Sequence, residues 1–473
     1  MTNYGTIAHH FPDPPDNNGL EGITVNTSND HVVVVKECHL GLLIELDSSL
    51  TTILSTRMLY AKQGFVHPKL KADKLDFSGL SYDSSSDTLW IVSDKGECLF
   101  QYDWTRDTVL QRLDLTINTG EKPKRIRKPE GVAFDPDQKK LYVVSDRDSD
   151  LCCSSSMTTA ERRRVLITGA SSGIGLEAAK ILLARGDELT VVCRNAERAD
   201  LTRSALSGSV ETCVADLADL DSVAKAIEGL RRNQMPFDAL VLNAGLQYAG
   251  HGSPRWSAQG IELTFAVNHL AHQLLAEGLK AQTRAIVITA SEVHNPSTGG
   301  GRVGQPAGLG MLQGLRQGPG APMVDGESRF NADKAYKDSK LCNLLMAQQI
   351  HRQRPDVPVV AWSPGLVIPR TSEGFFRNSR QANPLGQALF GLVARDLLRV
   401  TESVERAGEL LVQLINEQLH QPGFSYWSNG LLGPGRHQFN STEPSEEAND
   451  SDKATMLWML SNDLINSVLT PSR

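Results

Sequence analysis

The sequence lacks any long hydrophobic run. No apolar stretch in its 473 residues reaches the length of about eighteen that a spanning helix needs, so no transmembrane segment is expected. It also lacks an excess of positive charge: 48 Lys and Arg against 55 Asp and Glu leave a formal net charge of −7. That balance, with no basic arm, argues against a nucleic-acid partner. The cluster Arg162-Arg163-Arg164 reads as the solvated start of a strand. Cysteine is scarce and unpatterned. Of seven, only Cys152 and Cys153 are neighbours. An odd count without a disulfide framework or metal-ligand spacing implies reduced thiols, a cytoplasmic setting and no metal site. Met1 to Gly19 is polar and Pro-rich with no apolar core, so no secretory leader is expected. What is there is an ordinary globular composition, 40% apolar and 22% charged, in a chain long enough for two or more domains.

The N-terminal third repeats itself. Leu20-Glu21-Gly22-Ile23-Thr24-Val25-Asn26 precedes Val32 to Glu37, Phe77-Ser78-Gly79-Leu80-Ser81-Tyr82-Asp83 precedes Leu89 to Asp94, and Pro129-Glu130-Gly131-Val132-Ala133-Phe134-Asp135 precedes Leu141 to Asp146. Each copy is strand, turn, strand, and Gly22, Gly79 and Gly131 recur at spacings of 57 and 52 residues. Further strands follow at Gly41 to Leu46 and Cys98 to Tyr102. Short strands at a period near 50 mark a β-propeller. The opening E/S-G-(I/L/V) and the ending (S/K)-(D/E) resemble the propeller family known as SdiA-regulated, over residues 15 to 150. Propellers close with at least four blades and this region holds about three, so an open arc is expected. Such an arc must pair with another copy, pack on the rest of the chain, or fold poorly. Glu21, Asp94, Glu130 and Asp146 recur at matching places, as ion ligands or as turn caps. Acids at strand ends commonly cap turns, and no metal is assigned to them.

Leu151 to Ser156 breaks the pattern, and Met157-Thr158-Thr159 reads as the start of an independent frame. The chain is therefore expected to be a gene fusion. Its parts are a partial propeller over 1–150, a junction over 151–161 and a second domain over 162–473.

The second domain begins on Val165-Leu166-Ile167 and passes through Thr168-Gly169-Ala170-Ser171-Ser172-Gly173-Ile174-Gly175 into an apolar-periodic helix. A strand ending on glycines and turning at once into a helix leaves free backbone N–H groups at the positive end of the helix dipole. Such a site suits a pyrophosphate. The expected fold is α/β, a Rossmann-type doubly wound parallel sheet. Leu189 to Cys193 make the second strand, and it ends at Arg194 where an NAD-preferring sheet has an acid. A guanidinium matches a 2′-phosphate, so the cofactor is read as NADP(H). Val210 to Ala215 make a third strand closing on Asp216, placed to meet the adenine amine. Ala239 to Leu242 make a fourth, followed by Asn243-Ala244-Gly245. Asn268 lies on the next helix, Ala285 to Thr289 deliver Ser291, and Tyr336 and Lys340 stand one helical turn apart.

In order, the TGASSGIG turn, the NAG strand end, the strand-end serine and the YxxxK pair resemble a short-chain dehydrogenase/reductase over residues 162 to about 468. Within that superfamily KAYKDSKLCN at 334–343, the preceding insert with Met323-Val324-Asp325-Gly326, and the tail Tyr426-Trp427-Ser428 with Ser445 to Ala448 are similar to the protochlorophyllide oxidoreductase branch. The resemblance implies that Tyr336 is the acid/base and that Lys340 holds the nicotinamide ribose. A nearby ammonium should lower a phenol pKa of about 10 toward the useful range. Ser291 would steady the developing oxyanion, and Asn268 would hold a water relaying protons to Lys340.

Two stretches bear on substrate. The Gly-rich insert from Asn295 to Asn331 reads as a lid or substrate wall. Pro364-Gly365 ends the sixth strand over the nicotinamide, with Thr371 placed for the carboxamide. The protochlorophyllide enzymes carry a cysteine directly after this Pro-Gly, and this chain has Leu366. An apolar residue cannot donate a proton as a thiol does. The first reading is thus a dark NADP(H)-dependent reductase of a bulky, apolar carbonyl or conjugated small molecule. The second is light-dependent protochlorophyllide reduction, and the third an NADP(H)-sensing binding protein recruiting a partner through the arc. Gln387 to Val400 and Glu402 to Glu417 read as amphipathic helices that pack, line a substrate mouth or form a homo-oligomer face.

Overall fold

Short β-branched and aromatic runs divided by Asx and Ser turns set the N-terminal architecture. The computed structural model describes residues 19–36, 41–67, 70–71, 74–118, 123–136, 140–147, 152–154, 163–206, 210–232, 235–368, 377–382, 384, 388, 391–397, 400–419 and 421–469. The chain divides into two units, Met1–Glu161 and Arg162–Arg473.

In the first unit, Leu20–Asn26, His31–Lys36, Leu42–Leu46 and Ile53–Met58 form one antiparallel meander, and Gly79–Asp83, Thr88–Ser93, Cys98–Asp103 and Thr108–Asp114 form a second. Pro129–Asp135, Lys140–Ser145 and Cys152–Ser154 form a third sheet. These are propeller blades, two of four strands and one of three. Cys152–Ser154, expected in the junction, instead pairs with Leu141, Tyr142 and Val143. Ladder hydrogen bonds, not side-chain pattern, make that strand.

The repeated glycines have a steric cause. A Cβ on Gly22 would stand 2.8 Å from Gly79 Cα, and one on Gly79 would stand 2.7 Å from the Glu130 carbonyl oxygen. The inner strands of successive blades therefore approach backbone to backbone. Hydroxyls two residues further on tie them: the Tyr82 N–H donates to Thr24 Oγ1 over 2.9 Å, and the Phe134 N–H donates to Ser81 Oγ over 3.0 Å. The recurrent acids do converge. Glu130 is raised above the usual carboxylate range by burial first, then by the charges of Asp94, Asp146 and Glu21. Among the described residues no group of His, Cys, Asp and Glu is gathered closely enough to hold a metal ion.

The second unit is built on an eight-stranded sheet in the order Glu211–Val214, Glu188–Cys193, Arg164–Thr168, Ala239–Leu242, Ile286–Thr289, Pro358–Ser363, Gly423–Gly433, Arg436–Ser441. All neighbours are parallel except the last pair. Strand residues alternate between two cores. Val165, Ile167, Val191, Val241 and Trp362 face the helices Gly173–Ala184, Ala196–Leu206 and Val404–Glu417. Leu166, Leu240, Leu242, Ile288 and Ala361 face Leu220–Arg232, Ala332–Gln353, Ser451–Val468 and a helix over 263–278. This is the doubly wound fold. Its chain order reverses between Arg164–Thr168 and Ala239–Leu242, where such sheets bind ligands beyond the strand ends. The helix Val404–Glu417 packs on Gly173–Ala184, so closely that a Cβ on Gly408 would stand 2.7 Å from Glu177 Cβ. Its apolar face is thus used in packing; of the other amphipathic stretch, Leu392–Leu397 forms a π-helical turn, while 387, 389, 390, 398 and 399 lie outside the described residues. Among the described residues no helix is long and apolar enough to cross a membrane.

Candidate active site

The glycine turn at the reversal point is shaped by close approach. Gly169 has φ +73°, and a Cβ there would stand 2.7 Å from Ala244 Cα. Gly175, in the first turn of Gly173–Ala184, is tighter: its Cβ would stand 2.4 Å from the Gly169 carbonyl oxygen and 2.7 Å from Asn243 Nδ2. Gly173, by contrast, has φ +60° and, among the described residues, open space where its Cβ would lie. Ser172 begins this helix with extended backbone and no side-chain cap, and its first turn holds no acid. Helix N–H groups left free beside an open cradle fit a dinucleotide pyrophosphate. Ser171, Ser172 and Ile174 are half-buried around it.

Arg194 is exposed at the end of Glu188–Cys193, with Arg198 a turn further on. Asp216 is half-buried beyond Glu211–Val214, and its Oδ1 accepts from the Ala218 N–H over 3.0 Å. Asn243, Ala244 and Gly245 follow Ala239–Leu242 and are bound to the first strand through Thr168. The N–H groups of Asn243 and Ala244 both donate to Thr168 Oγ1 over 2.9 Å, and Asn243 Nδ2 donates to the Thr168 carbonyl over 3.2 Å. The Thr168 hydroxyl also meets His272 Nε2 at 3.0 Å, while His272 Nδ1 lies 3.0 Å from the Asn268 carbonyl. That carbonyl requires Nδ1–H, which leaves Nε2 to accept from Thr168.

Asn268 sits in a π-helical turn, Ala266–Leu270, an irregularity frequent at functional sites. Its side chain is held in place: Oδ1 accepts from the Leu246 N–H over 2.8 Å, and Nδ2 donates to the Leu246 carbonyl and to Ser339 Oγ over 3.0 Å each. A Cβ on Gly245 would stand 3.5 Å from Asn268 Oδ1 and 3.6 Å from Lys340 Nζ, so these three residues meet. The helix Ala332–Gln353 carries Tyr336 and Lys340, with the Lys340 ammonium 5.7 Å from the Tyr336 ring centre. Tyr336 is hydrogen-bonded to Ser291, which lies two residues beyond Ile286–Thr289. The structure thus brings together Tyr336, Lys340, Ser291 and Asn268 beside the NAG strand end.

The electrostatics differ from the sequence expectation. Burial pushes the Tyr336 phenol above its ordinary value, opposed by its hydrogen bond to Ser291. Burial alone pushes the Lys340 ammonium down to about 7. The same desolvation that raises the phenol weakens the charge expected to lower it.

The insert before Tyr336 is stapled down. Lys337 Nζ donates to the carbonyls of Gly301 and Gln305 over 3.0 Å each and to that of Val303 over 2.5 Å. Lys334 Nζ reaches Asp325 at 3.0 Å and Asp338 at 2.6 Å, and the Gly308 N–H donates to Asp338 Oδ1. These contacts tie both ends of the insert to the helix Ala332–Gln353. On the other side, Gly365 has φ +78°, and its Cβ would stand 2.7 Å from the Asn429 carbonyl oxygen. Asn429 Nδ2 donates to the Pro364 carbonyl over 3.2 Å, fixing that turn. Leu366 packs with Ile368 and Ala394. Thr371 lies outside the described residues. Sequence reasoning missed Lys337, His272 and Thr168. His272 follows Asn268 by four residues on one helix face, a usable signal; nothing in local sequence announced Lys337.

A dinucleotide cradle beside a Tyr, Lys, Ser and Asn set defines an oxidoreductase. The family profiles and similar sequences agree. Residues 163–298 match the profile described as short chain dehydrogenase, and residues 8–148 match one described as SdiA-regulated. A protochlorophyllide reductase of Avena sativa is 36% identical over 320 residues, covering 64% of this chain and 99% of that protein. The chloroplastic protochlorophyllide reductase A of Oryza sativa subsp. japonica is 36% identical over 323 residues, covering 64% and 81%. Among solved structures, an uncharacterised protein from Mycobacterium paratuberculosis aligns with TM-score 0.47 at 22% identity, covering 67% of this chain and 99% of that one. The chain belongs to the short-chain dehydrogenase/reductase family, with an SdiA-regulated region ahead of the enzyme fold.

Proposed function

We propose that this protein is an NADP(H)-dependent reductase moving hydride between the nicotinamide and a bulky, apolar carbonyl or conjugated small molecule. The observation that carries the reading is the meeting of Lys340 and Asn268 at Gly245, with Tyr336 and Ser291 alongside. Residues 169–175 would hold the pyrophosphate, Arg194 the 2′-phosphate, and Asp216 the adenine. Asn243, Ala244, Gly245 and Lys340 would seat the nicotinamide ribose, with Pro364 and Gly365 across from them. The bound nicotinamide supplies or accepts the hydride. Tyr336 holds the proton that balances it, Ser291 orients the substrate oxygen, and Asn268 with Lys340 connects that proton to the interior. The enzyme is assigned to 162–473 and the arc to 1–150, with no mechanistic dependence between them.

A second reading, light-dependent protochlorophyllide reduction, is favoured by the names of the relatives. Leu366, packed with apolar neighbours after Pro364-Gly365, weighs against it. The test is NADPH oxidation by the full chain against an aldehyde, quinone and porphyrin panel, in light and in dark. Dark turnover abolished in Tyr336→Phe supports the first reading, and porphyrin turnover only under illumination supports the second. Cofactor binding without turnover, unchanged in Tyr336→Phe, would leave a binding protein instead.

A further inference from the structure

The blade junctions of the N-terminal arc are built to one plan, and that plan is left half-made at both ends. Each inner strand presents two faces. One is hollow: the repeat glycine, the residue two further on, and the valine paired with the glycine on the next strand. These are Gly22, Thr24 and Val35 in the first blade, and Gly79, Ser81 and Val92 in the second. The other face carries knobs one and three residues after the glycine: Leu80 and Tyr82 in the second blade, Val132 and Phe134 in the third. Val35 shares a core with Leu80 and Tyr82, and Val92 shares one with Phe134 and Val132. Hollow receives knob at both junctions, and a hydroxyl-to-N–H bond closes each.

At the two ends the same positions stand open. The first blade's knobs, Ile23 and Val25, are 67% and 46% exposed, where their equivalents Leu80 and Tyr82 are 4% and 7%. The third blade's hollow valine, Val144, is 48% exposed, where Val35 and Val92 are both 0%. Among the described residues a Cβ on Gly131 would meet only Val144 of its own sheet, while Gly22 and Gly79 each abut the following blade. The outer part of the first blade's free face is already closed around Val34, Ile44 and Leu46, so what lies open is the inner-strand strip that the internal junctions use. The unfilled knobs and the unfilled hollow are thus the two halves of a single junction.

We propose that a second copy of this chain supplies the missing halves. Ile23 and Val25 of one protomer seat on Gly131, Ala133 and Val144 of its partner, and reciprocally. Two three-bladed arcs then close into one six-bladed ring, within the range of four to eight blades that propellers adopt. The contact is head-to-tail and closes after two copies, so it gives a dimer and not a fibre. One feature differs from the internal junctions. Ala133 stands where Thr24 and Ser81 carry the accepting hydroxyl, so the junction between chains lacks the bond that ties the internal ones.

The test is sedimentation velocity on the full chain over a range of concentrations. Ile23→Asp and Val144→Asp, both at exposed positions, are each expected to lower the association state with unchanged circular dichroism. Mixing the two variants restores one intact junction per pair and should raise the association state above that of either alone. Ala133→Ser supplies the absent acceptor and should tighten association about threefold to tenfold at each junction. Association unmoved by either Asp variant, a wild-type chain that stays monomeric, or variants that fail to rescue one another would each overturn the proposal.

Discussion

Lys340 donates from its buried ammonium to the Thr289 carbonyl over 2.9 Å, two residues before Ser291. The amine on one helix and the hydroxyl on the adjoining strand end are thereby fixed to a common backbone point. Thr289 is itself held through its hydroxyl, which accepts from Trp362 Nε1 over 3.0 Å and donates to Asn243 Oδ1 over 3.2 Å. Removing the phenol should leave this frame standing. Tyr336→Phe is expected to lower kcat about 10²- to 10⁴-fold with little change in the melting temperature, read by steady-state kinetics and thermal unfolding.

The two glycines of the cradle should separate folding from binding. Gly175→Ala drives a methyl into the Gly169 carbonyl and Asn243, so loss of the folded state is expected. Gly173→Ala meets no atom of the described residues and costs only the left-handed backbone, about 1–2 kcal/mol. Its methyl fills the space assigned to the pyrophosphate, so it should melt near the wild type and bind NADPH weakly. Thermal unfolding and cofactor titration of both variants check this.

Arg194 is assigned the choice between cofactors. Arg194→Ala should raise the KM for NADPH about tenfold or more while leaving that for NADH nearly unchanged, because a guanidinium pairs with a phosphate and little with a hydroxyl. Equal effects on both cofactors would remove Arg194 from the site.

His272 is expected to make the enzyme fold acid-sensitive. Burial first, then the Lys340 charge, pushes it from 6.5 down to about 3. His269 is pushed to about 3 by burial as well. On acidification the unfolded chain takes up these protons first, so stability present above pH 6.5 is lost as the pH falls toward 3. Protonated His272 also cannot accept from Thr168. His272→Asn should make this slope shallower, measured by urea unfolding at a series of pH values.

The enzyme half is expected to stand without the arc. Residues 157–473 expressed alone should fold and oxidise NADPH at the rate of the full chain; an inactive or unstable fragment would show that the halves depend on each other.

The legible parts of this molecule are those where side-chain chemistry and backbone need coincide. Buried parallel strands require apolar, β-branched runs, so Val165 to Ile167, Leu189 to Cys193 and Ala239 to Leu242 read directly. The repeat glycines read because only glycine fits between inner strands. Ile53–Met58 and Thr108–Asp114, half-buried outer strands with mixed polarity, carried no such signal. Cys152–Ser154 gained its strand from pairing alone. Tyr336, Lys340, Ser291 and Asn268 were visible through motif order. Their support, from the Thr289 carbonyl to the Lys337 staple, is made of long-range contacts to backbone that local sequence does not encode.

Thr168 occupies a position whose importance exceeds its size. Through one oxygen it serves the turn of Asn243 and Ala244, assigned above to the dinucleotide, and, by way of His272, the carbonyl of Asn268. The segments proposed for cofactor recognition and for proton handling are therefore geared together at a single atom. Neither can drift independently of the other, and a change as small as hydroxyl to methyl at that point would uncouple both at once.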